Sequence, residues 1–317
     1  MSFQVTTAFT QQYSANVMEL SQQKGSRLRN YVTTETGVRG EYAFKDQVGV
    51  ATYNVVMNRN GDTPLNTTPF SRRRVQLVGR DWGDLVDNID KLQMIIDPTS
   101  ATALIAGHSM GRAVDDSIIS ACFATAYTNS GLDGVTPTTV ALPAGQIIAV
   151  GDRTYQDEGN GASGNSSLTV SKLISGKILF YTNNVDLESE KLQIAVPGQA
   201  IGALLTATPV TSIYYNSVRP LVDGTVDTFM GYDFHRTELV NKDGRGNSLL
   251  NGSGYQLLPV WVPSGLYLAI GEDIKAEIEK RADKKFSWQI YFQMFMGATR
   301  LEEVKVAQLI CDPAKTF

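Results

Sequence analysis

The fold is decided by one stretch, residues 97–127, which reads DPTSATALIAGHSMGRAVDDSIISACFATAY. Asp97 can cap free N–H groups at a helix start, and Pro98 fits the first helical position. Residues of one face then follow at steps of three and four: Leu104, His108, Gly111, Val114, Ile118 and Cys122. This spacing predicts the longest helix of the chain, running from Pro98 to about Tyr127.

Composition limits the class of protein. The chain has 317 residues, with 28 Lys+Arg against 32 Asp+Glu, a net charge of −4. This balance excludes a histone-like basic binder and an acidic solvating tail. A hydrophobic content of 42% is enough for a large core and excludes global disorder. Charged residues reach only 19%, and a surface with so few charges indicates that part of it contacts partners.

The charge is unevenly distributed along the chain. Residues 1–80 carry 10 basic and 5 acidic side chains, net +5, whereas residues 81–317 carry 18 and 27, net −9. A basic leading quarter on an acidic body suits a segment that lies across the acidic surface of a neighbour. A chance imbalance on a solvated surface is the alternative explanation.

Two segments before the long helix lack partners nearby in sequence. Residues 1–36 contain Phe9, Tyr13 and Val17 at helical spacing, which predicts an amphipathic helix in an arm that docks on something else. Residues 37–80 contain β-rich runs at 48–56 and 74–78, separated by a turn at 58–64. Because an isolated ribbon is marginal in water, we expect this one to rest on a partner.

After the long helix the pattern is mixed and then β-rich. It predicts these elements in order: a helix over about 169–183, a strand at 192–196, a helix from Pro197, an exposed loop at 241–254, a half-buried strand over 286–296 and a last strand at 304–306. The sequence therefore predicts an α+β protein.

Cysteine and histidine are too few for a metal site or a disulfide framework. Cys122 and Cys311 are predicted to be small buried hydrophobic residues, and the chain has two histidines. Residues 1–7 show no basic region followed by an apolar one, and no apolar stretch reaches the ~20 residues of a membrane span. We expect a soluble, unexported protein without a cofactor.

One motif supports an enzymatic alternative. Gly107-His108-Ser109-Met110-Gly111 matches G-x-S-x-G, the nucleophile elbow of α/β-hydrolases. Ser109 would be the nucleophile, with His235 as base and Asp186 or Asp223 as acid. Against this, the helical spacing runs through Ser109 unbroken, and His235 lies in an alternating strand pattern. In a helix, each of these glycines costs roughly 1 kcal/mol, which predicts another backbone packed closely there.

Two further sequence patterns give only weak support for a functional site. Residues 159–164 superficially fit G-x-G-x-x-G but follow no buried strand, so they predict a flexible loop. The triplet Arg72-Arg73-Arg74 could contact nucleic acid. Because no aromatic residues interleave with it in the sequence, a salt-bridge site between proteins fits at least as well.

The order of elements resembles a tailed-bacteriophage major capsid protein of the Hong Kong 97-type fold. Residues 97–127 resemble the spine helix of that family, and residues 168–173 resemble the start of its next helix. The similarity continues with Val196-Pro197 before a leucine pair, Gly224-Thr225-Val226 before Gly231-Tyr232, and Gly297-Ala298-Thr299-Arg300 before the last strand. A tail or decoration protein is a further alternative, besides the capsid protein and the hydrolase, and it would lack the capped helix.

The resemblance implies a domain plan and a function. It implies an arm at 1–36, an extended β-loop at 37–80, a peripheral domain at 81–130 and 269–317 with the spine helix at about 98–127, and an axial domain at 131–268. It implies hexamers and pentamers of an icosahedral head that encloses double-stranded DNA, formed in the host bacterial cytoplasm and present in the virion. Implied partners are copies of itself, a scaffolding protein, a portal, a cement protein and DNA bound non-specifically. No catalytic residue and no membrane is implied. Candidate intersubunit contacts are Arg59, Arg72, Arg73, Arg74, Phe9, Tyr13 and Val17.

Overall fold

The computed structural model describes residues 21–55, 59, 63, 65–87, 98–128, 137–155, 164–206 and 228–315. Its α-helices are α1 (Pro98–Phe123), α2 (Val170–Thr182) and α3 (Gly198–Thr206). Its strands are β1 (Thr33–Thr36), β2 (Tyr42–Val48), β3 (Phe70–Gln76), β4 (Val78–Val86), β5 (Ala126–Thr128), β6 (Thr138–Val140), β7 (Ile147–Ile148), β8 (Leu192–Val196), β9 (Thr228–Phe229), β10 (Tyr232–Arg236), β11 (Gln256–Trp261), β12 (Leu266–Arg281), β13 (Ser287–Arg300) and β14 (Val306–Cys311). The expected mixture of helix and sheet is confirmed.

Helix α1 is the predicted long helix, and it ends at Phe123 rather than near Tyr127. The chain turns there because Ala126–Thr128 form strand β5, which pairs with β3 and β6. Four of the predicted positions on one face, Gly111, Val114, Ile118 and Cys122, are buried, and Ala106 and Met110 continue this face toward the start of the helix. The prediction is wrong for Leu104, which is 49% exposed, and for His108, which is only half-buried. Asp97, the expected cap, lies outside the described residues.

A four-stranded sheet in the order β1-β12-β13-β4 carries α1 on one face. The alternation predicted for β13 is confirmed at every second residue: Ile290, Phe292, Met294 and Met296 are buried. Phe286 stands outside the strand, exposed and with a φ of 61°. Strand β12, the antiparallel partner of β13, is the long element that the sequence patterns did not delimit.

A six-stranded sheet in the order β7-β14-β11-β8-β10-β9 holds the middle of the chain. The predicted strand 192–196 is confirmed, as are the helix after Pro197 and helix α2, where the Thr169 hydroxyl accepts the Lys172 N–H. The last strand begins at Val306, after a short 3-10 turn at Glu303–Lys305, instead of at Val304. It pairs antiparallel with β11 inside this sheet.

Residues 37–80, which we call the excursion, form a two-stranded ribbon only at their base. Strands β2 and β3 pair antiparallel, but residues 49–55 form no strand, so the strand predicted over 48–56 is wrong for these residues. Val56 lies outside the described residues. The ribbon is also not isolated, because β5 and β6 extend it to a four-stranded sheet. One face of this sheet packs on the body through Ala43, Val75, Leu77, Tyr267 and Ala269.

The leading segment packs on its own chain from residue 21 onward. Leu28 and Val32 are buried in the main core, and β1 pairs parallel with β12. The expectation that residues 1–36 form an arm without intrachain partners is therefore corrected for 21–36. Phe9, Tyr13 and Val17 lie outside the described residues.

Candidate intersubunit surfaces

The G-x-S-x-G motif is part of a continuous helix. Residues 107–111 lie in the interior of α1. The residues immediately before Ser109 are helical from Pro98 onward and form no strand, so the strand-to-helix elbow is not formed. The prediction of close backbone packing is right for Gly111: a Cβ there would lie 2.5 Å from the Gly25 Cα. It is wrong for Gly107, which has no atom within 4 Å of its Cβ position.

His235 is placed as a structural residue of strand β10. Its Nε2 is 2.7 Å from the Gln193 Oε1, and its ring lies 4.0 Å from the ring of Tyr31. Burial lowers the pKa of His235, and the nearby Asp233 carboxylate opposes this shift. The imidazole is held by an amide and aromatic rings, so the hydrolase alternative lacks its base as well as its elbow.

The described residues contain no cluster of metal-ligating side chains and no exposed thiol. No group of three or more metal-ligating side chains occurs in that part of the chain. Both cysteines are free and buried, as predicted, and burial raises the pKa of Cys122 to about 12 and that of Cys311 to about 11. None of the described helices has both the length and the apolar content to cross a membrane.

The arginine triplet divides between the two faces of strand β3. Arg73 is only 6% exposed, its Nη2 lies 2.7 and 2.6 Å from the two carboxylate oxygens of Glu303, and its Nε donates to the Leu301 carbonyl at 2.8 Å. These contacts bind β3 to the body of the same chain. The contacts of Arg73 within its own chain argue against a role for it between subunits.

Arg72 and Arg74 point to the outer face of the ribbon, as alternation along a strand requires. The Arg72 Nη2 donates to Asp46 at 2.9 Å, and this interaction lowers the pKa of Asp46. The Arg74 guanidinium lies 4.6 Å from the ring of Tyr42 and 5.3 Å from that of Tyr127, two cation–π contacts.

Aromatic rings thus do interleave with these arginines, although no aromatic residue adjoins the triplet in the sequence. They come from strands β2 and β5, where Phe44 and Tyr127 are the register partners of Arg74. Cross-strand pairing alone reveals this feature. The centres of protein interfaces are enriched in arginine and aromatic residues, and the outer face of the ribbon has both.

The end of the excursion exposes apolar side chains. Tyr53 is 89% exposed and Leu65 is 96% exposed, and other exposed apolar residues nearby are Val48, Val50, Val55 and Phe70. Arg59, one of the candidate contacts, lies in an exposed turn of the same region. Exposure of so many large apolar side chains within one segment is typical of an interaction surface.

The outer part of the β12–β13 hairpin is a second exposed surface, and it includes a sheet edge. From Glu272 to Arg281 strand β12 is exposed and, among the described residues, pairs only with β13. Its register is interrupted between Ile270 and Lys275, and its charges pair locally, as in Lys275–Glu277 at 2.7 Å. Bulges and charges are how sheet edges avoid uncontrolled strand pairing.

Comparisons with known proteins give one family. The model of a family described as phage capsid protein matches residues 5–313. A search of curated proteins gives no significant match.

Solved structures share the fold at low sequence identity. The structure titled Mycobacterium phage Che8 is 13% identical, covers 96% of each chain and has a TM-score of 0.67. The capsid structure of Cyanophage P-SCSP1u is 14% identical, covers 96% of this chain and 94% of that one, and has a TM-score of 0.70. The Cyanophage Pam1 capsid asymmetric unit is 13% identical, covers 99% of each and has a TM-score of 0.65. With a family model over nearly its whole length, the chain belongs to the phage capsid protein family, whose members are structural proteins of the virion and not enzymes.

Proposed function

We propose that this chain is a major capsid protein of the Hong Kong 97-type fold and that it assembles into hexamers and pentamers of an icosahedral head around double-stranded DNA. The observation that carries this proposal is the apolar end of the excursion, where Tyr53 and Leu65 are almost fully exposed. Burying apolar surface stabilises by roughly 25 cal/mol per Å². A single chain leaves this stabilisation unused, whereas a shell of many copies realises it at every subunit.

The domain plan follows from the proposed fold. Residues 1–36 would be the arm, 37–80 the extended loop, 81–130 with 269–317 the peripheral domain, and 131–268 the axial domain. One pairing argues for a modified boundary: Val306–Cys311 belongs to the six-stranded sheet, so we assign it to the axial domain. The four-stranded sheet with α1 would then be the peripheral domain.

The proposed contacts between subunits combine charge and apolar surface. Arg59, Arg72 and Arg74 would meet the acidic body of an adjacent copy, because residues 81–317 carry net −9. Phe9, Tyr13 and Val17 would form the apolar face of the arm helix.

Other partners are proposed from the same assembly. A scaffolding protein would guide closure, a portal would occupy one vertex, and a cement protein could bind the outside. The packaged DNA would be contacted without sequence specificity. Assembly would take place in the host bacterial cytoplasm.

Electron microscopy of the expressed chain, with and without its scaffolding protein, tests the proposal. We expect shells or capsomers for the native chain and a loss of both for the double variant Tyr53→Ser, Leu65→Ser. Leu250→Ser, in the exposed 241–254 loop, is the matched control and should still assemble. A native chain that stays monomeric under every condition, or a double variant that assembles normally, would refute the proposed role of the excursion.

A further inference from the structure

The part of the N-terminal arm at residues 22–28, which packs on the body of its own chain, is tied to helix α1 by one carboxylate. Asp115 is fully buried and accepts four hydrogen bonds from this segment. The donors are Gln23 Nε2 and Ser26 Oγ at 2.5 Å each, the Arg27 N–H at 2.9 Å and the Leu28 N–H at 3.1 Å. A carboxylate with so many donors is expensive to leave unpaired, so the segment has a strongly preferred position.

Two neighbours on the same helix complete this attachment. The Arg112 Nη1 donates to the Gln22 Oε1 at 2.8 Å. Gly111 has no side chain, and any Cβ there would overlap the Gly25 backbone. We call residues Gln22–Leu28 the arm root.

The arm root also reaches the end of strand β10, on the six-stranded sheet. The Thr237 hydroxyl donates to the Gln23 Oε1 at 2.7 Å, and the Arg27 Nη1 donates to the Arg236 carbonyl. The Thr237 Oγ1 also accepts the Leu239 N–H at 3.2 Å, which starts the 3-10 turn Glu238–Val240. The amide of Gln23 is therefore shared between α1 and this turn.

We propose that the arm root couples the N-terminal arm to the junction between helix α1 and the six-stranded sheet, with the Gln23 side chain as the connecting element. Displacing Gln23 breaks its bond to Asp115 and its bond to Thr237 together, because one amide makes both. Pulling or docking of the arm would then change how firmly the helix holds the sheet. The coupling is reciprocal, as any coupling free energy must be.

A contiguous hydrogen-bond network joins the arm root to α1, to the end of β10 and to the 3-10 turn Glu238–Val240. The root also continues into the core beyond Leu28. The Tyr31 ring lies 4.0 Å from His235 of β10, and the Trp261 Nε1 donates to the Tyr31 carbonyl at 2.8 Å. Residues 22–28 are therefore hydrogen-bonded to α1 on one side and to the end of β10 on the other.

Hydrogen–deuterium exchange of the purified full-length chain tests the coupling in Gln23→Leu. We expect the amides of residues 238–241 to exchange about tenfold faster, which is the order expected when the bonds from Gln23 to Asp115 and Thr237 are lost. Gln22→Leu is the matched control: the Gln22 side chain contacts Arg112 on α1, so its loss should leave 238–241 unchanged.

The reverse experiment uses Thr237→Val, read at the amides of Arg27 and Leu28. Faster exchange there, at a distance of more than two hundred residues in sequence, would support the coupling. No change at 238–241 in Gln23→Leu, or the same change in Gln22→Leu, would overturn it. This measurement needs no assembled shell, so it is independent of the proposed capsid architecture.

Discussion

Arg300 is expected to be the side chain whose loss most weakens the end of helix α1. It is fully buried, and its Nη1 donates to the carbonyls of Cys122 at 2.9 Å and Ala124. Its Nη2 donates to the Val140 carbonyl at 3.1 Å. The guanidinium thus satisfies carbonyl groups that a helix end leaves unpaired, and it ties strand β6 to the same place.

Arg300→Met keeps much of the side-chain volume and removes every one of these hydrogen bonds. A hydrogen bond to a charged group contributes about 1.5–3 kcal/mol, and buried carbonyls without partners add a penalty. Burial of a charged group costs free energy, so removing the charge of Arg300 offsets part of this loss of stability. We expect the free energy of unfolding to fall by about 3–4 kcal/mol.

Urea unfolding followed by tryptophan fluorescence measures this loss, because Trp261 is fully buried in the same core. Arg300→Lys can restore one or two of the bonds, so we expect it to lose about half as much. Arg245→Met, in the exposed 241–254 loop, should change stability by less than about 0.5 kcal/mol. A loss below about 1 kcal/mol in Arg300→Met would show that water replaces the guanidinium and would refute the capping argument.

Three further expectations concern pH, charge and reactivity. Burial raises the pKa of Asp116 to about 6, against the Gly244 N–H bond, which lowers it. Because this folded-state value exceeds the unfolded value, the contribution of Asp116 to stability is full below about pH 4 and is lost as pH rises through 6. The melting temperature of Asp116→Asn minus that of the native chain should therefore increase from pH 5 to pH 7.5. A difference that stays constant over this range would contradict the raised pKa of Asp116. The double charge reversal Arg72→Glu, Arg74→Glu should impair assembly, measured by light scattering. The loss should be larger at 0.01 M salt, where charges act over about 30 Å, than at 0.15 M. Equal assembly at both salt concentrations would exclude an electrostatic contact. A fluorophosphonate probe should not label Ser109, whereas labelling that Ser109→Ala abolishes would restore the hydrolase alternative.

Periodic apolar patterns determined the local elements. Helix α1, helix α2, strand β8 and the alternation of β13 follow from local spacing, because burial of one face selects the same residue types wherever that face lies. The burial of Cys122 and Cys311 was predictable for the same reason. The order of these elements also carried the resemblance to phage capsid proteins that the family match confirms.

Only the tertiary structure decided which strands pair and which charges meet. Strand β14 could have joined either sheet by its pattern, and pairing with β11 selected the six-stranded one. Arg72, Arg73 and Arg74 are identical in type, yet the pleat buries Arg73 on Glu303 and leaves the other two among aromatic rings from β2 and β5. Asp115 and Arg300 meet partners from about 90 to 180 residues away in sequence. Such contacts are set by long-range packing, which no local periodicity encodes.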